Sequence, residues 1–453
     1  MKQVDIIDKN IIYPIYMEDS INKELIDQIE YDLNEVVNKQ LNKLTTIYTL
    51  GKLEFDKILF IGLGKKSETN SKKLREAFRI VSKHIKEESI FIALDQQMAE
   101  LFVETYLHTR YVPQVIGHEK KHYPNVDIYS KEDVRESIYK GISIGESINY
   151  ARELSDRPTN YMNGNDLVNA AKEMSSKYEK ITCRIIDKQE LEEMGAGGIL
   201  AVNQGSKIPA YMIVLNYHNS DDQYKAVIGK GITFDTGGYT MKPNSYGMKY
   251  DMCGGANTIA IIEALAKLDI KTNVYGIVPT TDNAVSENAY MPEDVITTLS
   301  GKTVEVVSTD AEGRLILCDA LTYAQQLGVT HMIDMATLTG ACCRALGTVY
   351  TGIFTNSDIF FDEFYESLEE SDEKGWRLPL DEEYFKMLKS ETADFKNSAG
   401  SPFGAASVAG NFLNAFVDES VAWIHLDIAA TANNLNKTAT GAMIRSIINY
   451  LSK

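Results

Sequence analysis

Cysteine is scarce in this chain: five among 453 residues, with Cys342 and Cys343 adjacent. No C-x-x-C pair occurs, so no disulfide framework is expected, and a reducing compartment suits the protein. A basic surplus is missing too. The formal charge is −18, which leaves no cationic stripe to neutralise phosphates. Nucleic acid and an anionic membrane surface are therefore poor partners. Long apolar runs are also lacking. The most hydrophobic window, residues 331–354, is interrupted by Asp334 and Arg344 and is rich in Thr and Gly. It reads as core, not as a membrane span. The first eight residues lack the basic-then-apolar pattern of a signal peptide, so a cytoplasmic location is expected. No internal repeat, low-complexity tract or long charge block stands out.

The composition that remains is ordinary for a soluble globular chain, 44% apolar and 24% charged. Its length suits two or three domains. Residues 1–130 read as a self-contained α/β unit. Residues 57–64 form a strand ending in a glycine turn, and Leu74, Phe78, Val81 and Ile85 recur at helical spacing. The Gly62-x-Gly64-Lys65-Lys66 turn lacks the spacing of a phosphate loop or a dinucleotide fingerprint. Residues 131–157 read as a connecting helix, broken by Asp156, Pro158 and Asn160. From 158 to 453 strand and helix signals alternate. The expected fold is thus α/β in two domains. The larger C-terminal one carries a twisted, mixed but mainly parallel sheet flanked by helices.

The most informative stretch is Ser308-Thr309-Asp310-Ala311-Glu312-Gly313-Arg314-Leu315. A β-branched run precedes it and an apolar, helix-length run follows. The acids therefore fall on a strand-to-helix turn, where α/β proteins place their sites. In an extended backbone Asp310 and Glu312 would face the same side. Two carboxylates aimed at one point repel unless a cation separates them or one is protonated. Taken alone, helix capping explains the pair equally well.

A second run shifts that balance. Residues 229–243 contain Lys230, Asp235 and Lys242 among four glycines, and Asp251 follows before a glycine-rich helix start. Asp235, Asp251, Asp310 and Glu312 make four carboxylates on turns of one sheet. That set suits two divalent cations such as Zn, Mn, Mg or Co. Lys242 and Arg314 could polarise a carbonyl oxygen and clamp an anion. Equally, they and Lys230 could only balance the acids. The seven histidines are scattered, and none is assigned a metal.

At these residues the sequence resembles the leucyl aminopeptidase family, also called the cytosol aminopeptidases. The matching runs are residues 229–243, 248–256, 308–315 and 336–341, with weaker ones at 392–397 and 425–429. The resemblance implies two metals held by Lys230, Asp235, Asp251, Asp310 and Glu312. It implies that Lys242 polarises the scissile carbonyl. Arg314, with Leu338, would hold a bicarbonate that takes the proton of the attacking water. Met248, Thr337, Gly340, Ala429 and Ala432 match positions lining the family's first side-chain pocket. Substrates would be peptides with a free N-terminus, and the assembly a homohexamer. Departures are Ser308, Tyr239, Met241, a slightly shorter loop between Lys242 and Asp251, and the small Ala432. A narrow dipeptidase, for instance on cysteinyl-glycine, and a non-catalytic binding homologue are the alternatives.

Overall fold

The structure is a computed structural model and describes residues 1–21, 23–434 and 438–453. The chain divides into two compact units, Met1–Asn149 and Tyr150–Lys453. The long helix Arg135–Asp156 runs through the division. It starts four residues later than the polar pattern suggested. The reason is a capping turn, in which Asp133 Oδ1 accepts from the Arg135 amide at 3.1 Å.

The first unit holds a six-stranded sheet. Its strands are β1 (Gln3–Val4), β2 (Asn10–Ile15), β3 (Leu44–Tyr48), β4 (Lys57–Gly62), β5 (Ser89–Ile92) and β6 (Val126–Tyr129). The order is β1-β6-β5-β2-β4-β3. All neighbours are parallel except β3, which runs antiparallel to β4. Each face carries its own core. Phe78, Phe91 and Phe102 pack one side, and Ile15, Leu33 and Phe60 the other. Burial on both faces is what parallel strands require.

The second unit is built on a nine-stranded mixed sheet. Its strands are β7 (Ile181–Ile186), β8 (Tyr211–His218), β9 (Lys225–Gly229), β10 (Gly231–Asp235) and β11 (Asn273–Asn283). A small side sheet follows, made of β12 (Val295–Thr297), β13 (Thr303–Glu305) and β17 (Phe395–Lys396). The main sheet is completed by β14 (His331–Ala336), β15 (Thr351–Thr355), β16 (Gly375–Arg377) and β18 (Ala422–Asp427). Its path is β16-β15-β18-β14-β9-β11-β8-β7, with β10 also paired to β11.

Five strands, β9, β10, β11, β14 and β18, run parallel to one another. Their carboxyl ends therefore share one edge of the sheet. Ala226, Val227 and Ile228 in central β9 are all buried, as a strand covered on both faces demands. Helices Cys253–Lys267 and Gly313–Gln326 are buried almost all round. They anchor the turns that carry the acids.

Candidate metal centre

Each parallel strand delivers one polar group to the shared edge. Lys230 follows β9, Asp235 ends β10, Asn283 ends β11, Thr337 follows β14 and Asp427 ends β18. This is where open α/β sheets bind ligands. Asp251 comes from the short 3₁₀ turn Met248–Met252, and Glu312 from the residue before helix Gly313–Gln326. Asp310 lies on the turn before it.

The charges interlock in two pairs. Lys230 Nζ lies 2.7 Å from Asp251 Oδ2 and 2.7 Å from Glu312 Oε1. The Asp251 contact is one of charge, without a directed hydrogen bond at that oxygen. Lys230 Nζ also donates to the Thr337 carbonyl at 3.0 Å. Lys242 Nζ lies 2.7 Å from Asp235 Oδ2 and also contacts Asp310 Oδ1. Oxygens of Asp235, Asp310 and Glu312 lie within 4.8 Å of one another.

Four carboxylates thus face two ammonium groups in a site that is buried except on the side of Asp310 and Lys242. Burial, aggravated by Glu312, pushes the Asp235 carboxyl up to about 6. Burial raises Asp251 and Glu312 as well, against the pull of Lys230. Burial works to strip the proton from Lys230, but Asp251, Glu312 and Asp235 outweigh it and hold the ammonium. Arg314 is buried and brought down to about 10 by desolvation. Its Nη1 donates to the Asn397 carbonyl at 2.7 Å, while its Nε has no partner.

The donor set fits divalent cations. Hard carboxylate oxygens converge in excess of the cationic groups, and Glu312 Oε2 is buried without a hydrogen-bond partner. Charge balance through the lysines alone leaves that oxygen unexplained.

Backbone geometry differs from the expected extended run. Thr309 and Asp310 form a turn, closed by the Ala311 amide donating to the Ser308 carbonyl at 3.2 Å. Glu312 is αR at φ −74° and ψ −37° and makes no side-chain cap. The two acids converge because Thr309 is pinned from several sides. Its hydroxyl donates to the Gly237 carbonyl at 2.6 Å and accepts from the Thr240 amide at 2.7 Å. Its carbonyl accepts from Asn283 Nδ2 at 3.0 Å and from the Tyr290 hydroxyl at 2.8 Å.

Asn283 was missed by sequence reasoning. It also donates to Asp235 Oδ1 at 2.8 Å. The usable signal was a polar residue at the carboxyl end of a long central strand. Asn397 and Asp427 stood in the weaker runs without a role. Asn397 Oδ1 accepts from the amides of Val307 and Ser308, at 2.8 and 3.2 Å. Asp427 accepts from the Leu338 and Ala429 amides, at 3.2 and 3.1 Å, and from the Thr339 hydroxyl at 2.6 Å. Asp427 therefore fixes the loop that carries Thr337 and Leu338. Of the residues matched to the first side-chain pocket, Ala432 is buried, Met248, Thr337 and Ala429 are half-buried, and Gly340 is exposed.

One match to a zinc signature does stand among the histidines, His118-Glu119-Lys120-Lys121-His122. That signature needs a helix to place both rings on one face. Here the segment is irregular and exposed, and no acid–histidine cluster forms there among the described residues.

Gly237 and Gly313 are among the glycines that space requires at the site. Gly237 has φ +86°, and a Cβ there would come within 2.9 Å of Asp310 Oδ1. A Cβ on Gly313 would sit 2.6 Å from both Cε and Nζ of Lys230. Gly313→Ala favours the helix intrinsically by about 1 kcal/mol. It is expected to keep the fold while displacing the Lys230 amine, lowering kcat about 10²-fold. Circular dichroism together with turnover checks this; unchanged turnover would refute it.

The fold and site together define an α/β protein with an acid-rich centre at the carboxyl edge of its main sheet. A model described as the cytosol aminopeptidase family, catalytic domain, matches residues 149–448, and the family's N-terminal-domain model matches residues 23–116. The chain belongs to this family, and is accordingly a hydrolase acting on peptides. It is 38% identical over 452 residues to "Probable cytosol aminopeptidase" of Bacillus licheniformis, covering 92% of this chain and 90% of that one. The Bacillus subtilis protein of the same name is 38% identical over 441 residues, covering 91% and 88%. No helix among the described residues is long and apolar enough to cross a membrane.

Proposed function

We propose that this chain is a metal-dependent aminopeptidase that releases N-terminal residues from peptides. Asp235, Asp251, Asp310 and Glu312 would hold two divalent cations, Mn or Zn foremost, with Mg or Co as substitutes, and Lys230 would join them as a neutral amine, its proton displaced by the bound cation. The observation that carries the reading is the convergence of three carboxylates within 4.8 Å of one another, with one buried oxygen unpartnered. Two cations bound there would polarise the scissile carbonyl and acidify the attacking water.

The protein's own groups do the rest. Lys242, held by Asp235 and Asp310, presents an ammonium to the carbonyl oxygen as negative charge builds on it. Arg314, with Nε unpaired, and Leu338 would hold bicarbonate as the base for the water's proton. Asp427 keeps Leu338 and Thr339 in place. The free α-amine of a peptide is a good donor toward a cation and an internal amide nitrogen is not, so the reaction is confined to the chain end. Met248, Thr337, Gly340, Ala429 and Ala432 would receive the first side chain. A cytoplasmic homohexamer completes the reading, testable as a solution mass six times the 50.7 kDa chain.

Chelator treatment is expected to abolish hydrolysis of unblocked aminoacyl amides, and added Mn or Zn to restore it. N-acetylated amides should resist cleavage throughout. Equal cleavage of blocked and unblocked substrates, or full activity after verified metal removal, would refute the reading. Comparing dipeptides with longer peptides separates it from a narrow dipeptidase.

A further inference from the structure

We propose that Arg344 gives the first side-chain pocket a preference for acidic N-terminal residues. The inference rests on the aminopeptidase reading above, and on Gly340 lining that pocket.

The helix Gly340–Leu346 begins three residues after Thr337. Thr337 touches the centre twice, through its carbonyl to Lys230 at 3.0 Å and its hydroxyl to Asp251 Oδ1 at 2.8 Å. Three residues span at most about 11 Å, so the helix start abuts the metal centre. Gly340 and Arg344 are four apart and share one face of that helix. Long helical side chains lean back toward the N-terminus. The guanidinium does so here: its Nη1 lies 3.4 Å from the place a Cβ on Gly340 would occupy. Arg344 therefore covers Gly340 and looks where Gly340 looks. Both residues are exposed.

Its charge is uncommitted. Arg75, Arg135, Arg157, Arg184, Arg377 and Arg445 each pair with a carboxylate. Arg344 pairs with no carboxylate among the described residues, in a chain with 64 acidic side chains. The neighbouring acid, Asp427, already has its oxygens engaged by Leu338, Thr339 and Ala429. The other proposed walls, Met248, Thr337, Ala429 and Ala432, are uncharged. A glutamyl or aspartyl side chain reaching the exposed face of Gly340 meets a planar cation that accepts a carboxylate side-on. The plainer role of Arg344 is to favour the C-terminal end of its helix.

An isosteric substrate pair isolates the charge. The metal-loaded full-length protein is assayed on glutamyl and glutaminyl p-nitroanilides, with leucyl p-nitroanilide reporting active enzyme. In Arg344→Gln the glutamyl-to-glutaminyl ratio of kcat/KM is expected to fall about threefold to fivefold, through KM. Arg344→Lys should retain part of the ratio, and added salt should shrink it in the unmodified protein. An unchanged ratio in Arg344→Gln, with leucyl turnover present, overturns the proposal and leaves the aminopeptidase reading standing. Absence of leucyl turnover in the unmodified protein overturns both.

Discussion

Glu312→Gln is expected to lose bound metal and to cut turnover about 10²–10³-fold, the scale of one preorganised charge in a dry site. Glu312 is 2% exposed. It stands between Lys230, 2.7 Å away, and the oxygens of Asp235 and Asp310 within 4.8 Å. Glutamine keeps the shape and removes the charge. It can also turn an NH2 donor toward the Lys230 ammonium, where the carboxylate accepted. The excess of negative charge that favours cations falls at its centre. Metal analysis after dialysis, set beside kcat, tests this. Near-normal metal content and turnover would mean that Glu312 serves only to pair Lys230.

Lys242→Ala should behave differently. Its side chain is 20% exposed and contacts Asp235 and Asp310 from the open side of the site. Removing an ammonium from beside two carboxylates makes the site more attractive to cations, so metal should be retained. Turnover should still fall about 10²–10³-fold with little change in KM, since the lost interaction is strongest in the transition state. A variant that holds its metals and turns over normally would show Lys242 to be a charge-balancing residue. Equal metal loss in both variants would count against separate roles.

Much of the scaffold was legible beforehand. The apolar run at 57–64 falls on β4, because β-branched and aliphatic residues between turn signals have few other solutions. The helix after Glu312 was legible from its continuous apolar stretch. The start of the helix Arg135–Asp156 was not. Its polar residues carry no period, and the Asp133 cap decides the boundary locally.

At the site, local sequence named the acids but misjudged how they meet. An extended backbone was expected at Asp310 and Glu312. The turn found there is held by Gly237, Thr240, Asn283 and Tyr290, residues 19 to 72 positions away along the chain. Such contacts leave no periodic trace, so neither Asn283 nor the role of Asp427 was visible in advance.

Taken by itself, the order of residues determined the α/β class and which side chains carry ionisable chemistry. These follow from composition and short-range pattern, because burial and strand or helix period act over a few residues. Only the tertiary structure decided that Lys230 pairs with Asp251 and Glu312 while Lys242 pairs with Asp235 and Asp310. It also decided that Gly313 must lack a side chain and that Arg344 lies over Gly340. The physical reason is shared: five parallel strands end at one edge, and that edge brings distant turns within a few ångströms of each other.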